Sequence, residues 1–193
     1  MNRVILLSLG FMLMLSSCGW RSIPTAKNEV EAKWAEVVNQ YKRRADLIPN
    51  LVNVVKGYAS HEKETLTAVV EARAKATKTN INVDDLNPAT MQKFQKAQGA
   101  LTSALSKLMV VVERYPDLKA NQNFLALQSQ LEGTENRITV ARNRYIETIK
   151  QFNNLVTVPP QSWTNSILYQ FEKKPQFTVE NEKDIQDAPE VKL

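Results

Sequence analysis

The segment Tyr41–Glu62 reads YKRRADLIPNLVNVVKGYASHE, and it organises the chain because it combines a helical apolar pattern, a proline and a potential helix end. Its apolar residues recur at three- and four-residue spacing, which is typical of a helix that packs one face against others. Pro49 lies within this pattern and lacks a backbone donor, so we expect a kink or a short break there. Gly57 and Ser60 then offer a helix end and a new N-cap.

These signals predict a first helix from about Asn28 and a second from about Ser60 to Thr77, with one continuous kinked helix through Thr77 as the alternative. Arg44 falls in the apolar register of the first helix. A buried guanidinium needs a partner because an isolated buried charge is very costly, so we expect a rim carboxylate or a polar layer beside it. The residues expected to face inward are Val30, Trp34, Val37, Tyr41, Ile48, Leu51 and Val55 with Tyr58, and then Leu66, Val69, Val70 and Ala76.

Two more helices are predicted beyond a polar loop over residues 78–87. Asn87-Pro88 is a good helix start, and this third helix keeps a heptad-like spacing until Pro116 ends it. After a turn over residues 116–120, the last helix is expected from Asn121 to Leu155. The residues expected to face inward are Met91, Phe94, Gln98, Leu101, Leu105, Leu108, Val112 and Tyr115, and then Phe124, Leu127, Leu131, Ile138, Ala141, Tyr145, Ile149, Phe152 and Leu155.

Four amphipathic segments with short connections bury their apolar faces most economically against one another. No segment shows the alternating pattern of a strand. We therefore predict an all-α domain over residues 28–156, namely an antiparallel four-helix bundle with long, partly kinked helices.

Two blocks of the sequence stand out. The first comprises Lys42-Arg43-Arg44, Asp46–Val52 and Val55–Ala59, and the second comprises Glu113–Asn121 and Thr134–Ile138. Together they resemble the signature of the LemA family. The resemblance covers about residues 28–177 and implies an all-helical bundle in the cell envelope. It implies no reaction, because the family has no established biochemical activity.

The first seventeen residues predict a lipoprotein signal peptide. A short positive region precedes an apolar run at Val4–Leu15, and Leu15-Ser16-Ser17-Cys18 matches the bacterial lipobox. The run is too short for a comfortable transmembrane helix, which needs about 20 apolar residues. Cleavage between Ser17 and Cys18 would leave Cys18 as the acylated N-terminus, whereas many LemA proteins look like single-pass proteins with a longer hydrophobic helix.

The predicted location is the periplasmic side of a bacterial envelope, where the lipid tethers the protein to the membrane. Gly19 stands where an aspartate would retain the protein at the inner membrane, which favours the outer membrane if the cell is Gram-negative and follows the enterobacterial sorting rule. Residues 18–27 predict a linker. Residues 157–193 are expected to form a tail that is partly docked and is disordered from Thr178 onward. The side chains expected to dock are Trp163, Ile167, Leu168, Tyr169, Phe171 and Phe177.

A basic group on the first helix is the strongest electrostatic feature. Its members are Lys42, Arg43 and Lys56, with Arg44 and Lys33 nearby. It is a candidate contact for anionic lipid or an acidic partner, and each basic residue contributes about 1 kcal/mol close to an anionic surface. The alternative is a solvated face balanced by Glu36 and Asp46. Nucleic acid is not expected, because export separates the protein from it.

Cys18 is the only cysteine and His61 the only histidine of the chain, so a disulfide and a Cys- or His-rich zinc site are excluded. The Glu-x-x-His pairs of di-iron bundles do not occur either, and we predict neither metal nor cofactor. Four carboxylates near the last turn resemble an acidic site, but we interpret them as caps and ion pairs with Arg114, Arg137 and Arg142. They are Glu113, Asp117, Glu132 and Glu135.

These observations predict an envelope lipoprotein whose LemA-like bundle acts as a binding or scaffolding module and not as an enzyme. An envelope protein is the expected partner, and self-association into a homo-oligomer is left open. The alternative is an enzyme, or an accessory subunit of one, in which Glu113, Glu135 or His61 performs acid-base chemistry.

Overall fold

The computed structural model describes residues 20–79 and 81–177. Within that part of the chain there are six α-helices, a 3₁₀ turn at Val83–Asp85 and a π-helical turn at Asn165–Tyr169, and there is no strand. The all-α prediction is therefore confirmed. The helices are α1 (Ser22–Tyr58), α2 (Lys63–Lys78), α3 (Pro88–Val112), α4 (Pro116–Lys119), α5 (Gln122–Thr157) and α6 (Gln161–Thr164).

The long helices pack in pairs. Helix α1 lies along α5, α2 lies along α3, and α2 also contacts α1. Trp34 meets Tyr145 while Tyr58, at the end of α1, meets Asn121 at the start of α5, so these two helices run antiparallel. Four helices are long and two span a single turn, and the exact four-helix arrangement stays a prediction.

The core consists of two apolar clusters along the length of the molecule. One surrounds Trp34, Phe94 and Tyr145, and the other surrounds Leu51 and Leu108. Most of the residues expected inside are buried, but Tyr58 and Val70 are 46% and 49% exposed. Tyr58 is the last residue of α1, and Val69 beside Val70 takes the inward position. Four others pack only partly buried against the clusters, and they are Leu105, Tyr115, Leu127 and Leu155.

Helix α1 begins at Ser22, earlier than the predicted start near Asn28, so the linker predicted over residues 18–27 is helical from Ser22 onward. Pro24 is tolerated there because the first turn of a helix leaves its backbone N–H groups without intrahelical partners. Ile23 is fully buried in the first cluster, which gives this extra turn a packing reason.

The boundary between α1 and α2 lies at residues 59–62, so two helices are present and not one continuous helix. The residues that end α1 and cap α2 are not the predicted ones. Gly57 lies inside α1, and Ser60 is not the N-cap of α2, because Glu62 occupies that position. Ala59 ends α1 by donating its N–H to the carbonyl of Val55, and it is fully buried.

Helix α1 continues through Pro49 without a break. A proline at this position leaves the carbonyl four residues earlier, that of Ala45, without its helical donor. Arg73 of α2 supplies the missing donor, because its Nε lies 2.7 Å from the Ala45 carbonyl oxygen. The lost backbone bond is thus replaced by a side-chain bond that also joins α2 to α1.

The starts of α3 and α5 are confirmed in detail. Asn87 accepts a hydrogen bond from the N–H of Thr90 and donates its own N–H to the Thr90 hydroxyl, a capping box with Pro88 at the first helical position. Asn121 accepts the N–H of Phe124 at 3.0 Å. The predicted turn over residues 116–120 contains the one-turn helix α4.

Beyond α5 the chain folds back onto the first cluster. Phe177 contacts the rings of Trp34 and Tyr145, and Asn153 pairs its side-chain amide with the backbone of Lys174 through bonds of 2.9 and 3.0 Å. Three residues expected to dock point outward instead, namely Trp163, Ile167 and Leu168. The predicted disorder from Thr178 onward lies outside the described residues.

Candidate functional site

A polar layer lies between the two apolar clusters, and Arg44 is its centre. The Arg44 side chain is only 3% exposed. It donates to Gln98 Oε1 at 2.7 Å and to the Thr102 hydroxyl at 3.1 Å, both on α3. It also forms an ion pair of 3.0 Å with Glu135 on α5. One guanidinium thereby joins three helices.

The layer satisfies the expectation that a buried arginine needs a partner at the rim. Glu135 is 51% exposed, so its carboxylate is still hydrated while it neutralises Arg44. The guanidinium of Arg44 also lies over the ring of Tyr41, 5.1 Å from its centre. Burial raises the pKa of Tyr41, against the opposing effect of the positive charges of Arg142 and Arg44. Tyr41 therefore remains a neutral phenol beside the cation.

A cleft of about 270 Å³ borders the layer between α1, α2 and α3. Lys42 and Asp46 line its α1 side, and Phe94 and Gln98 line its α3 side. The cleft combines an apolar wall with one charge of each sign, a composition suited to holding a side chain of a partner.

The predicted basic group is divided between two sides of α1. Lys42 and Lys56 are fourteen residues apart and fall on nearly the same face, roughly 21 Å from each other along the axis. Arg43 is rotated from Lys42 by about 100°. All three residues are exposed. Lys42 and Lys56 therefore share one face of α1, and Arg43 lies on a different face.

Of the two acids that the alternative interpretation assigned to balance the basic group, Asp46 lies beside Lys42 at the cleft without an ion pair among the described residues, and Glu36 pairs elsewhere. It binds Arg144 on α5 at 2.7 Å and lies 4.0 Å from Lys33, which also pairs with Glu29. Among the described residues, Lys42 and Arg43 have no carboxylate within ion-pair distance. Their charges are thus available at the surface.

The acid-base candidates lie in two places, with Glu135 apart from Glu113 and His61, whose neighbours Arg114 and Glu62 form an ion pair. Glu135 lies in the polar layer, whereas Glu113 pairs with Lys119 at the turn between α3 and α4. His61 is exposed in the connection between α1 and α2. Asp117 lies in the first turn of α4, and Glu132 accepts a hydrogen bond from the side chain of Gln128.

The carboxylates and arginines pair differently from the prediction. Arg114 binds Glu62 at 3.0 Å, and Arg142 lies over the ring of Phe177 at 4.5 Å. The hydroxyl of Tyr115 also donates to Glu62, and this bond raises the pKa of Tyr115. Sequence reasoning missed Glu62, although its position beside His61 at a helix boundary was a signal. In the described part of the chain, no group of three potential ligands could hold a metal ion.

The predicted lipid attachment at Cys18 and the cleavage site at Ser17 lie outside the described residues. The first described residue is Trp20, and its carbonyl accepts a hydrogen bond of 2.6 Å from the hydroxyl of Tyr169. The π-helical turn at residues 165–169 therefore meets the start of the described chain at one end of the molecule. Among the described helices, none is long and apolar enough to cross a membrane.

Comparison with known proteins agrees with the two sequence blocks identified above. A family model described as LemA family matches residues 33–193. The protein named Protein LemA of Metamycoplasma hominis is 26% identical over 142 residues, which are 73% of this chain. The matched region spans only 59% of the length of that relative.

Proposed function

The chain belongs to the LemA family, and from this premise we propose that it is an envelope lipoprotein whose helical bundle binds or scaffolds a protein partner. In this proposal the four long helices form one antiparallel bundle on the periplasmic side of the membrane. The protein acts by association and performs no reaction of its own.

The proposed anchor is an acylated Cys18. Its support is the sequence, in which the apolar run and Leu15-Ser16-Ser17-Cys18 agree with a lipoprotein signal in position, length and flanks. Several acyl chains on one residue would hold the protein firmly, since a single chain gives only marginal binding. Mass spectrometry of the N-terminal peptide tests this. An unmodified Cys18 within an intact N-terminus would refute the anchor.

The observation that carries the binding role is the exposed charge of Lys42 and Arg43. Of the two acidic residues that could balance them, Glu36 is bound by Arg144 of α5, and Asp46 forms no ion pair with either among the described residues. Exposed charge that the protein does not neutralise itself raises the rate at which an oppositely charged partner associates. The cleft bordered by Lys42 adds a recess beside that charge. An acidic protein segment is therefore the proposed ligand of this surface.

Crosslinking in intact cells followed by recovery of the protein tests the proposal. The variant Lys42→Gln with Arg43→Gln is expected to recover less of any partner, while thermal stability stays unchanged because both side chains are exposed. The matched control is Lys96→Gln with Lys107→Gln, which removes the same charge from exposed positions on α3. Arg44 is kept in every variant, because its loss would unfold the polar layer and imitate a binding defect.

The same experiment separates association from catalysis. His61→Ala should leave both partner recovery and the cellular phenotype unchanged under the binding proposal. If His61→Ala abolishes the phenotype in a folded protein, while the double Lys42 and Arg43 variant loses neither partner nor phenotype, the enzymatic alternative replaces the binding role.

A further inference from the structure

The end of the molecule that carries Trp20 exposes apolar side chains which the core does not use. Trp20 and Trp163 are 63% and 64% exposed, whereas the third tryptophan, Trp34, is buried at 2%. Isolated exposed apolar residues are ordinary, but several at one end of a protein indicate a contact surface. We call this group the apolar end surface, and its members are Trp20, Val158, Trp163, Ile167 and Leu168.

In the turn that presents this surface, a polar residue is buried and apolar residues face outward. Asn165 is buried, and its side-chain amide donates to the carbonyl of Phe171 at 3.0 Å while its oxygen accepts the N–H of Phe171. Gln170 follows with a positive φ of 54°, which reverses the chain so that Phe171 returns to the core. The bonds from Asn165 to the backbone of Phe171 hold the turn in this conformation. Ile167 and Leu168 consequently point outward.

The apolar end surface is next to the proposed lipid attachment. The hydroxyl of Tyr169 donates to the Trp20 carbonyl at 2.6 Å, which ties the C-terminal turn to the start of α1. Trp20 follows Cys18 by two residues, and two residues of extended chain span at most about 7 Å. Acyl chains on Cys18 would thus enter a bilayer within that distance of the backbone of Trp20.

Charge is excluded from this surface. Residues 158–171 contain no Asp, Glu, Lys or Arg, although 23% of the whole chain is charged. The one charged side chain between Trp20 and Ala26 is Arg21, which is exposed and would meet anionic headgroups favourably. A segment free of acids and bases can enter the lipid interface without removing a charge from water.

We propose that the apolar end surface inserts into the interfacial region of the bilayer that anchors the protein, an inference that rests on the proposed anchor at the chain start. Tryptophan rings favour this region because one part of the indole is apolar and its N–H still finds a polar partner. The protein then makes two kinds of contact with the membrane, acyl chains and side chains. The side-chain contact fixes the orientation of the helical bundle relative to the membrane, which a flexible lipid tether alone would not do.

Fluorescence quenching by brominated lipid tests the inference on the full chain. The protein is purified from membranes and reconstituted into vesicles of phosphatidylcholine and phosphatidylglycerol, brominated near the headgroup end of the acyl chains. Trp20 and Trp163 should be quenched, and the buried Trp34 should not. Trp163→Phe and Trp20→Phe should each remove about half of the quenched signal. Each variant keeps the position apolar, so the remaining tryptophan should stay in contact with the lipid.

A charge-insertion pair distinguishes the surface from the anchor. In the Trp20→Phe background, Ile167→Asp with Leu168→Asp should abolish quenching of Trp163, since carboxylates resist transfer into lipid. The matched control is Val70→Asp with Val110→Asp, two positions 49% and 70% exposed on α2 and α3, and it should leave quenching unchanged. Circular dichroism of each variant confirms that the helices are retained.

Mass spectrometry of Cys18 in the same preparation separates the two proposals. Acylated protein with unquenched tryptophans overturns the inference and leaves the anchor intact. Quenched tryptophans with an unmodified Cys18 refute the acylation but retain the membrane contact. Emission that shifts to shorter wavelength without bromine quenching means that protein, such as a second copy of this chain, covers the surface, and this also overturns the inference.

Discussion

The bond from Arg73 to the carbonyl of Ala45 predicts an energetic coupling between Arg73 and Pro49. Ala45 is 3% exposed, so its carbonyl cannot turn to bulk water if Arg73 is lost. A buried acceptor left without a donor costs about 1–3 kcal/mol, and Arg73→Met should therefore lower the free energy of unfolding by about that amount. In a Pro49→Ala background, the N–H of residue 49 can serve the same carbonyl. There the cost of Arg73→Met should fall below about 1 kcal/mol, giving a coupling of about 1–2 kcal/mol.

Urea unfolding of the four proteins of this double-mutant cycle, followed by circular dichroism, measures the coupling. Pro49→Ala alone should stabilise the protein, by less than the roughly 3 kcal/mol of an uncompensated helical proline, because Arg73 already replaces the lost donor. Lys75→Met is the matched control, an exposed basic residue on the same helix whose loss should cost little in either background. If Arg73→Met costs the same in both backgrounds within about 0.5 kcal/mol, the carbonyl of Ala45 is not the group that Arg73 stabilises.

Arg44→Ala should destabilise the protein by about 3–5 kcal/mol in urea unfolding, and Glu135→Ala should also cost several kcal/mol, because it leaves the buried guanidinium without its counter-charge; a silent Glu135→Ala would contradict the description of the layer. Burial raises the pKa of Tyr145 above its usual value. Because the folded protein then holds the phenol proton more tightly than the unfolded chain, its stability is complete below pH of about 10 and falls above it. Tyr145→Phe should reduce that fall in a series of melting temperatures against pH. Phe177→Ala should cost about 1–3 kcal/mol, since its ring packs on the core while partly exposed. Leu131→Ala should cost about 2–5 kcal/mol, and a silent substitution would show that α5 is rotated from the orientation described.

The sequence predicted the starts of α3 and α5 well, because they depend on neighbouring residues, but it misplaced the start of α1 and the boundary between α1 and α2. Asn87 and Asn121 cap their helices through bonds to the third residue beyond them, an interaction that follows from residue type and spacing alone. The burial of Arg44 was also predictable, because one helical period decides which side chains face inward. Its rim partner could be named only as a carboxylate, since periodicity does not say which helix lies opposite.

The features that the sequence did not predict are contacts between distant segments. Nothing near Pro49 indicates that Arg73 will supply its missing donor. Docking of Phe177 was predicted, but its partners Trp34 and Tyr145 were not, because the sequence does not show which part of the bundle the tail reaches. The outward positions of Trp163 and Ile167 were missed for a related reason. A short apolar stretch without regular spacing does not reveal which of its side chains the core takes up.

The polar layer around Arg44 has a consequence for how the two longest helices align. Apolar stripes on long helices are nearly interchangeable from one turn to the next, so α5 could slide along α1 by one turn, about 5.4 Å, and still bury much of its leucine and isoleucine surface. Such a slide would carry Glu135 away from Arg44 and leave an unneutralised cation between apolar clusters. The penalty for that buried charge is several kcal/mol, which is much larger than the difference between two apolar packings. Arg44 thus disfavours every slipped pairing of α1 and α5 in which no carboxylate comes opposite the guanidinium.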